Sequence, residues 1–307
     1  MSRTLGIDES VESVFPADVL KERLEGNGIE VELAGDDPEP YDGVVTFGYR
    51  EAFLAADLEW IHCILAGVDR FPLDSLTEHG IQLTNSTGIH GDAVGETVLG
   101  YMLQFARGLH RHRDAEQDRE WQYPAWDAAF TLAGESVCVV GLGTLGRGVA
   151  TRADAIGMDV VGVRRTPTPV PHVERIYTPD SLTDAISDAT FVVLTVPLTD
   201  ETERLVGADE LTAMRDDAYL VNVARGSVVD QDALLTELDA GGLAGAALDV
   251  FEEEPLPRDS PLWEMENVVV TPHASASTRE YVDRVAALVR ENARRLRAGE
   301  DLANRVV

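Results

Sequence analysis

A glycine-rich turn between a predicted strand and a predicted helix constrains the fold more than any other feature of this sequence. Residues 136–140 (SVCVV) are typical of a buried strand, and residues 141–146 (GLGTLG) fit the pattern G-x-G-x-x-G. A helical pattern over 145–156 follows, and a second apolar strand covers 159–163. This succession predicts a βαβ unit that binds a dinucleotide, since the glycine pattern alone, outside such a context, is far less specific.

Each glycine of the turn has its own expected role. Gly141 permits the tight turn, Gly143 lets the backbone approach a pyrophosphate, and Gly146 allows the helix to pack closely on the strand. The first amides of the helix, at Thr144 and Leu145, then face the phosphates. We therefore expect all five residues to bind the cofactor.

The end of the second strand predicts which dinucleotide is bound. An NAD-binding chain usually carries Asp or Glu there, which accepts hydrogen bonds from the ribose hydroxyls. This chain instead carries Arg164, Arg165 and Thr166. Because guanidinium groups bind phosphate in a bidentate manner, these residues favour NADP(H), with NAD(H) as the alternative cofactor. A basic turn without a ligand is the other interpretation, and an Arg pair is less expected by chance in so acidic a chain.

Alternation of strands and helices occurs twice, before and after a long helix predicted over 92–118. The chain has 307 residues, against about 150 for a typical domain, which favours two domains. Such alternation is typical of parallel sheets covered by helices. Strands are predicted at 4–7, 28–33, 43–47, 61–65 and 81–84, and then at 137–140, 159–163, 190–196, 218–223, 245–250 and 267–270.

The charge of the chain is strongly one-sided. Asp and Glu number 55 against 25 for Lys and Arg, the formal net charge is −30, and Lys21 is the one lysine. Such a surface repels phosphate backbones and anionic lipids, which argues against binding to nucleic acid or membranes. Because molar salt shortens the Debye length to about 3 Å, the composition resembles that of cytoplasmic proteins of extreme halophiles. A merely acidic protein from an ordinary organism is the alternative.

No segment of the sequence predicts export, a membrane span or a metal site. The N-terminus lacks the apolar stretch of a signal peptide, and no apolar run reaches the length of a transmembrane helix. Cys63 and Cys138 both lie in apolar runs, where we expect small buried residues rather than a disulfide framework. We therefore expect a cytoplasmic protein, and no spacing of His, Asp and Glu indicates a catalytic metal.

Three polar residues follow predicted strands in the second half of the chain, namely Arg225, Glu254 and His273. In a doubly wound sheet the carboxyl ends of the strands face the ligand crevice. Taken singly, each residue also has a structural interpretation, as a strand-end cap, a member of an acidic run and a core histidine. Together they form a chemical set, because an arginine binds a carboxylate, a histidine supplies a proton, and a carboxylate orients the histidine.

Together with the glycine turn, these three residues make the chain resemble the D-isomer-specific 2-hydroxyacid dehydrogenase family over nearly its whole length. Six motifs in a fixed order carry the resemblance: residues 141–146 (GLGTLG), 194–199 (LTVPLT), 221–226 (VNVARG), 246–251 (AALDVF), 254–257 (EPLP) and 271–274 (TPHA). Residues 85–92 (NSTGIHGD) resemble the glyoxylate/hydroxypyruvate-reductase branch of the family more than the phosphoglycerate branch.

The resemblance implies that Arg225, Glu254 and His273 are the catalytic residues. It also implies that the backbone amides of Ala66, Gly67 and Val68 join Arg225 and His273 in binding the substrate. The further cofactor contacts that it implies are Val196, Pro197, Thr202, Val223, Ala224 and Asp249, the last of them near the nicotinamide amide.

The fold implied by the resemblance is of the α/β class, with two Rossmann-like or flavodoxin-like parallel-sheet lobes and a cleft between them. Residues 1–92 and 277–307 would form the substrate lobe, and residues 93–276 the cofactor lobe. A homodimer joined largely through the cofactor lobes is also implied. The aromatic-rich loop 121–126 is then either an interface arm or a packed loop.

The expected function is reduction of a 2-ketocarboxylic acid to a D-2-hydroxycarboxylic acid with NADPH. A specialised glyoxylate or hydroxypyruvate reductase is the nearest alternative among enzymes. A non-enzymatic NAD(P)-dependent binding protein or corepressor on the same scaffold is the alternative from another class. Because such a protein does not need Arg225, Glu254 and His273 together, the presence of all three favours an enzyme.

Overall fold

The computed structural model describes residues 4–26, 30–35 and 37–307. The chain divides into two compact units, one formed by Met1–Ile89 with Ser277–Val307 and the other by His90–Ala276. The boundary before residue 277 coincides with the predicted one, whereas the first boundary follows residue 89 rather than residue 92. Each unit has its own parallel sheet, so the predicted α/β class with two sheet domains is confirmed.

The described residues of the first unit form five strands: β1 (Thr4–Asp8), β2 (Glu30–Ala34), β3 (Gly43–Thr46), β4 (Trp60–Cys63) and β5 (Gln82–Asn85). They form one parallel sheet in the flavodoxin-like order β2-β1-β3-β4-β5. All residues of β3 and β4 are buried, which explains their short, largely apolar sequences. Positions 28 and 29 of the predicted second strand lie outside the described residues.

The second unit contains seven strands, which pair as one parallel sheet. Their bounds are β6 (Ser136–Val140), β7 (Asp159–Val163), β8 (Arg175–Tyr177), β9 (Phe191–Leu194), β10 (Tyr219–Asn222), β11 (Gly245–Leu248) and β12 (Val268–Val270). The strand order is β12-β11-β10-β9-β6-β7-β8, a doubly wound order that reverses between β6 and β9. The sequence did not predict β8, because this edge strand is three residues long and none of them is fully buried.

Helices cover both sheets. In chain order they are α1 (Ala17–Leu24), α2 (Ala52–Ala55), α3 (Leu73–Glu78), α4 (Gly91–Ala106), α5 (Leu109–Gln117), α6 (Thr144–Ala155), α7 (Leu182–Ile186), α8 (Ala208–Ala213), α9 (Gln231–Ala240) and α10 (Tyr281–Ala298). The last of them, α10, returns the chain to the first unit and packs against α1. Within the described part of the chain, no helix combines the length and the apolar character that a membrane span requires.

The prediction of one long helix over 92–118 is wrong, because two helices occupy this range. Gly108 lies between α4 and α5 with φ +60° and ψ 30°, in the left-handed region that ends a helix. An isolated glycine is tolerated inside many helices, so Gly108 by itself did not indicate the break.

Small residues bring α4 and α6 into close contact. A Cβ on Gly95 of α4 would lie 2.5 Å from the carbonyl oxygen of Gly148 on α6. A Cβ on Gly148 would in turn lie 1.9 Å from the carbonyl oxygen of Gly91. The two backbones therefore touch along the first half of α4, which positions the start of α6 and the glycine turn before it.

This contact predicts opposite effects for two glycine substitutions in α4. Gly95→Ala should lower the free energy of unfolding by about 1–3 kcal/mol, because the new methyl group meets backbone atoms that cannot move aside. Gly100→Ala is the matched control, since a Cβ there meets nothing within 4 Å. It should raise stability by about 0.5–1 kcal/mol through helix propensity. Urea unfolding measures both, and equal effects of the two variants would contradict the close contact.

Candidate active site

The site begins with the glycine turn at the end of β6. Gly141 has φ +97°, so the chain turns sharply there. A Cβ on Gly146 would lie 1.9 Å from the carbonyl oxygen of Gly141, so glycine is needed where α6 passes the strand. A Cβ on Gly143 would meet no atom within 4 Å. This open space at the helix N-terminus fits a pyrophosphate, which the amides of Thr144 and Leu145 would face.

Thr195, directly after β9, holds the glycine turn in place. Its hydroxyl oxygen lies 2.5 Å from the carbonyl oxygen of Gly141 and 3.2 Å from that of Val140. The strand order reverses between β6 and β9, and ligands of doubly wound sheets bind at such a point. Thr195 is not among the predicted site residues, although it lies inside the motif 194–199 that carries the resemblance.

The predicted cofactor residues after β9 form a tight turn beside the glycines. The hydroxyl of Thr202 donates to the carbonyl oxygen of Pro197 at 2.6 Å and accepts from the backbone N–H of Thr199 at 2.8 Å. Val196 lies against the turn, since a Cβ on Gly141 would meet its Cγ1 at 2.8 Å. Thr202 therefore folds this loop, while Val196 and Pro197 lie at the carboxyl edge of the sheet.

The basic residues after β7 lie at the same edge. Arg164 is half-buried, and its backbone N–H donates to the carbonyl oxygen of Tyr177 at 3.0 Å. Its guanidinium makes no ion pair with any residue in the described ranges. Arg165 and Thr166 are exposed, and Nη1 of Arg165 lies 3.9 Å from a carboxylate oxygen of Glu201. Such an exposed pair contributes little stability, so both guanidiniums are available to a phosphate.

Arg225 lies just beyond β10 in a loop that Asn222 organises. The side-chain amide of Asn222 donates to the carbonyl oxygen of Arg225 at 3.0 Å, and its oxygen accepts from the N–H of Ala224 at 3.0 Å. Nη1 of Arg225 donates to the carbonyl oxygen of Ala224 at 2.7 Å. Val223 and Ala224 are buried. These two predicted cofactor residues thus form the buried base of the loop that carries Arg225.

Gly226 lets this loop touch the loop after β11. A Cβ at Gly226 would lie 1.8 Å from the carbonyl carbon of Phe251, so no other residue fits without moving the backbone. The N–H of Phe251 donates to Oε1 of Glu254 at 3.2 Å. The carboxylate of Glu254 is therefore tied to the backbone that Gly226 contacts.

Glu254 and His273 form a hydrogen-bonded pair across the loops after β11 and β12. Nδ1 of His273 lies 2.9 Å from Oε2 of Glu254. The side chain of His273 is 47% exposed and that of Glu254 is 25% exposed, so the imidazole can contact a ligand while the carboxylate is more protected. Because Nδ1–H is bound by the carboxylate, Nε2 is the ring nitrogen that remains for a substrate.

The three predicted catalytic residues therefore follow three neighbouring strands of one sheet. Arg225 follows β10, Glu254 follows β11 and His273 follows β12, and these strands are adjacent in the sheet order. Neighbouring strands lie about 4.8 Å apart, so their carboxyl ends place the three loops side by side. The glycine turn lies at the same edge, because β6 runs parallel to them.

Asp249 also follows β11, but its side chain is fully buried. Its oxygens accept hydrogen bonds from the segment that carries His273. Its predicted contact with the nicotinamide amide stays a prediction, and its observed contacts point inward to the protein.

In the first unit, Ala66, Gly67 and Val68 form the loop after β4. The side chain of Asn85 holds this loop by donating to the carbonyl oxygen of Ala66 at 2.7 Å. The backbone N–H groups of the three residues make no hydrogen bond to any residue that the structure describes. They are therefore available to an anion. Across the described ranges, no cluster of three or more His, Cys, Asp or Glu side chains is arranged to hold a metal ion.

Comparison with known proteins identifies the family. The sequence model of the D-isomer specific 2-hydroxyacid dehydrogenase NAD binding domain matches residues 99–275, more than half of the chain. The chain belongs to this dehydrogenase family. The match begins inside α4 and ends just after His273, so the family domain includes the glycine turn and all three predicted catalytic residues.

Two curated relatives of the dehydrogenase differ in length and in name. D-3-phosphoglycerate dehydrogenase of Methanocaldococcus jannaschii is 36% identical over 242 residues, which are 78% of this chain and 46% of that protein. This chain thus spans about half the length of that relative. Glyoxylate reductase of Korarchaeum cryptofilum is 35% identical over 240 residues, which are 76% of this chain and 71% of that one.

A solved structure matches both units of the dehydrogenase. The D-isomer specific 2-hydroxyacid dehydrogenase of Xanthobacter autotrophicus, solved in complex with NADPH and MES, is 31% identical with a TM-score of 0.84. The match covers 100% of this chain and 98% of that one. The two parallel-sheet domains described above are therefore those of the family.

Proposed function

We propose that this dehydrogenase reduces 2-ketocarboxylic acids to D-2-hydroxycarboxylic acids with NADPH. The observation that carries the proposal is the Glu254–His273 pair, which lies beside the Arg225 loop at the sheet edge that also holds the glycine turn. A carboxylate-bound histidine next to an arginine is the set that carbonyl reduction needs, because the reaction adds both a hydride and a proton.

The substrate is held through its carboxylate. Arg225 presents a guanidinium that binds a carboxylate in a bidentate manner and polarises the neighbouring carbonyl. In the same proposal, the amides of Ala66, Gly67 and Val68 supply further donors for that carboxylate. Recognition of this one group leaves the rest of the substrate unspecified.

The proton comes from His273. Bound NADPH supplies the hydride that the carbonyl carbon receives. As negative charge develops on the carbonyl oxygen, Nε2–H of His273 donates its proton there, and the ring keeps the proton on Nδ1. Glu254 stabilises the imidazolium before this transfer and holds the ring in one orientation, since Nδ1 lies 2.9 Å from its carboxylate.

The cofactor is held by the glycine turn and selected by Arg164. Gly143 leaves room for the pyrophosphate, Gly141 and Gly146 allow the turn and the helix packing beside it, and the half-buried Arg164 would bind the 2′-phosphate. A structure of a related dehydrogenase is a complex with NADPH, which agrees with this choice. NAD(H) is the alternative cofactor.

Glyoxylate and hydroxypyruvate are the substrates that the names of several relatives suggest for this chain. One relative is a glyoxylate reductase of similar length, and a glyoxylate/hydroxypyruvate reductase B of Yersinia pestis also matches. A specialised reductase of these small acids is therefore the leading form of the proposal.

We also propose a homodimer formed through the second unit. Trp121, Tyr123 and Trp126 lie in the loop before β6 with 99%, 93% and 94% of their surface exposed. Apolar surface of this kind marks an interaction site. Residues 97–113 beside this loop contain no Asp or Glu, so two chains of net charge −30 can meet there with the least repulsion. A monomer at micromolar concentration in light scattering would contradict this proposal.

The same charge supports a cytoplasmic protein adapted to concentrated salt. Self-repulsion of the acidic surface is screened over about 3 Å in molar salt and acts over about 10 Å in dilute buffer. Stability should therefore rise with KCl concentration.

Removal of the histidine tests the acid role. His273→Ala should lower kcat by about 10²- to 10⁴-fold, because it removes the proposed proton donor, while the affinity for NADPH is unchanged. His172→Ala is the matched control: His172 lies in the same unit, has positive φ, is 44% exposed, and pairs with Asp154 through Nδ1. Turnover like that of the unmodified protein in His273→Ala would contradict the assignment.

Charge reversal at Arg164 tests the cofactor choice. Arg164→Asp should raise KM for NADPH by at least about 10-fold and leave KM for NADH unchanged or lower, since only NADPH carries the 2′-phosphate. Arg175→Asp makes the same charge change on the neighbouring strand β8 and should leave both constants unchanged. If Arg164→Asp changed KM for NADPH and KM for NADH equally, Arg164 would not bind the 2′-phosphate.

A further inference from the structure

The carboxylate of Asp249 is buried, and its hydrogen bonds with the described residues all come from one segment. Oδ1 accepts from the hydroxyl of Thr271 at 2.7 Å and from the N–H of Ala274 at 2.9 Å. Oδ2 accepts from the N–H of Ser275 at 2.9 Å. These three donors lie on both sides of His273. Asp249 therefore holds the backbone that carries the catalytic imidazole.

The backbone of His273 needs such support. Its φ is +51°, in the left-handed region that residues with a Cβ seldom adopt. Its N–H donates to the carbonyl oxygen of Asp249 at 2.7 Å, so the same residue binds the segment through both its backbone and its side chain. Without these bonds, we expect the segment to relax and the ring to turn away from its present direction.

Helix α4 adds a second anchor to this segment. The hydroxyl of Tyr101 lies 2.6 Å from Oγ1 of Thr271, and the hydroxyl of Thr97 donates to the carbonyl oxygen of Ser275 at 3.0 Å. Thr97 and Tyr101 are four residues apart, so they lie on one face of the helix. Because the Thr271 hydroxyl donates to Asp249, Tyr101 must be the donor to Thr271.

The phenol of Tyr101 is suited to this role. Burial raises the pKa of Tyr101 to about 12, so its proton is retained over the working pH range of a protein. A chain of hydrogen bonds thus runs from α4 to the loop after β11. In it the hydroxyl of Tyr101 donates to Thr271, and the hydroxyl of Thr271 donates to Asp249.

We propose that Thr271, Asp249 and Tyr101 are positioning residues that fix the direction in which His273 presents Nε2. The proposal rests on the proposed role of His273 as the proton donor. It differs from the predicted role of Asp249 as a cofactor contact, because Asp249 acts here through the His273 segment. Thr271 is the central member, since its hydroxyl joins the other two.

Thr271→Val tests the proposal by removing the hydroxyl while keeping the shape of the side chain. The value of kcat should fall about 10- to 100-fold, because a small misplacement of a catalytic group has an effect of this size. The KM for NADPH should stay unchanged. Thr271→Ser keeps the hydroxyl and should restore most of kcat. Tyr101→Phe, which leaves the three donors of Asp249 in place, should give a smaller loss of kcat with the same unchanged KM.

A spectroscopic signal separates this proposal from the activity itself. In protein with ¹⁵N-labelled histidine, the Nδ1 proton that His273 shares with Glu254 should shift in Thr271→Val and Tyr101→Phe and stay in place in Thr271→Ser. The signals of His110 in the same unit serve as the control for an intact fold. If His273→Ala retains activity, the proposed function fails, yet the shift in Thr271→Val still reports on positioning.

Two results would overturn the proposal. One is an unshifted His273 signal with unchanged kcat in Thr271→Val. The other is an equal loss of NADPH affinity and kcat that Thr271→Ser does not rescue, which would make this cluster a cofactor contact or a purely structural one.

Discussion

The chemistry of this chain depends on the direction of its strands. In the second unit every strand pair is parallel, so β6, β9, β10, β11 and β12 all end at one edge of the sheet. A turn that follows any of these strands is therefore brought close to the others, whatever its separation in sequence. The glycine turn and His273 are more than a hundred residues apart in the chain, yet both follow strands of this sheet. Reversal of a single strand would move its loop to the opposite edge and dismantle the site.

Close backbone approach is the second requirement, and besides the contact of α4 with α6, glycines supply it at two points of the site. Gly146 lets α6 start against the turn after β6, and Gly226 lets the Arg225 loop touch the backbone beside Glu254. Hydrogen bonds then hold the loops that carry Arg225 and His273 in place. Asn222 closes the loop that carries Arg225, and the buried Asp249 closes the segment that carries His273. The site is thus held by short contacts within one unit rather than by its exposed ion pairs, which contribute little individually.

The sequence predicted those parts of the molecule that have a local signature. Strand runs, the glycine turn and the three polar residues after strands are all visible in windows of a few residues. The break at Gly108 was missed because a single glycine does not always end a helix, and the short edge strand β8 has no apolar run. The roles of Thr195 and Thr271 depend on contacts with residues 54 and 22 positions away, which no local pattern contains. Threonine after a strand is common, so only the folded chain distinguishes these two.

The central claim is tested most directly by initial rates of NADPH and NADH oxidation with glyoxylate, hydroxypyruvate, pyruvate and branched 2-keto acids, in molar KCl and in dilute buffer. The account predicts oxidation that is faster with NADPH than with NADH, and a D-2-hydroxycarboxylic acid as the product wherever a stereocentre forms. A folded protein that binds NADPH but oxidises neither cofactor would contradict it. That result would favour a non-enzymatic binding protein and leave the arrangement of Arg225, Glu254 and His273 without a function.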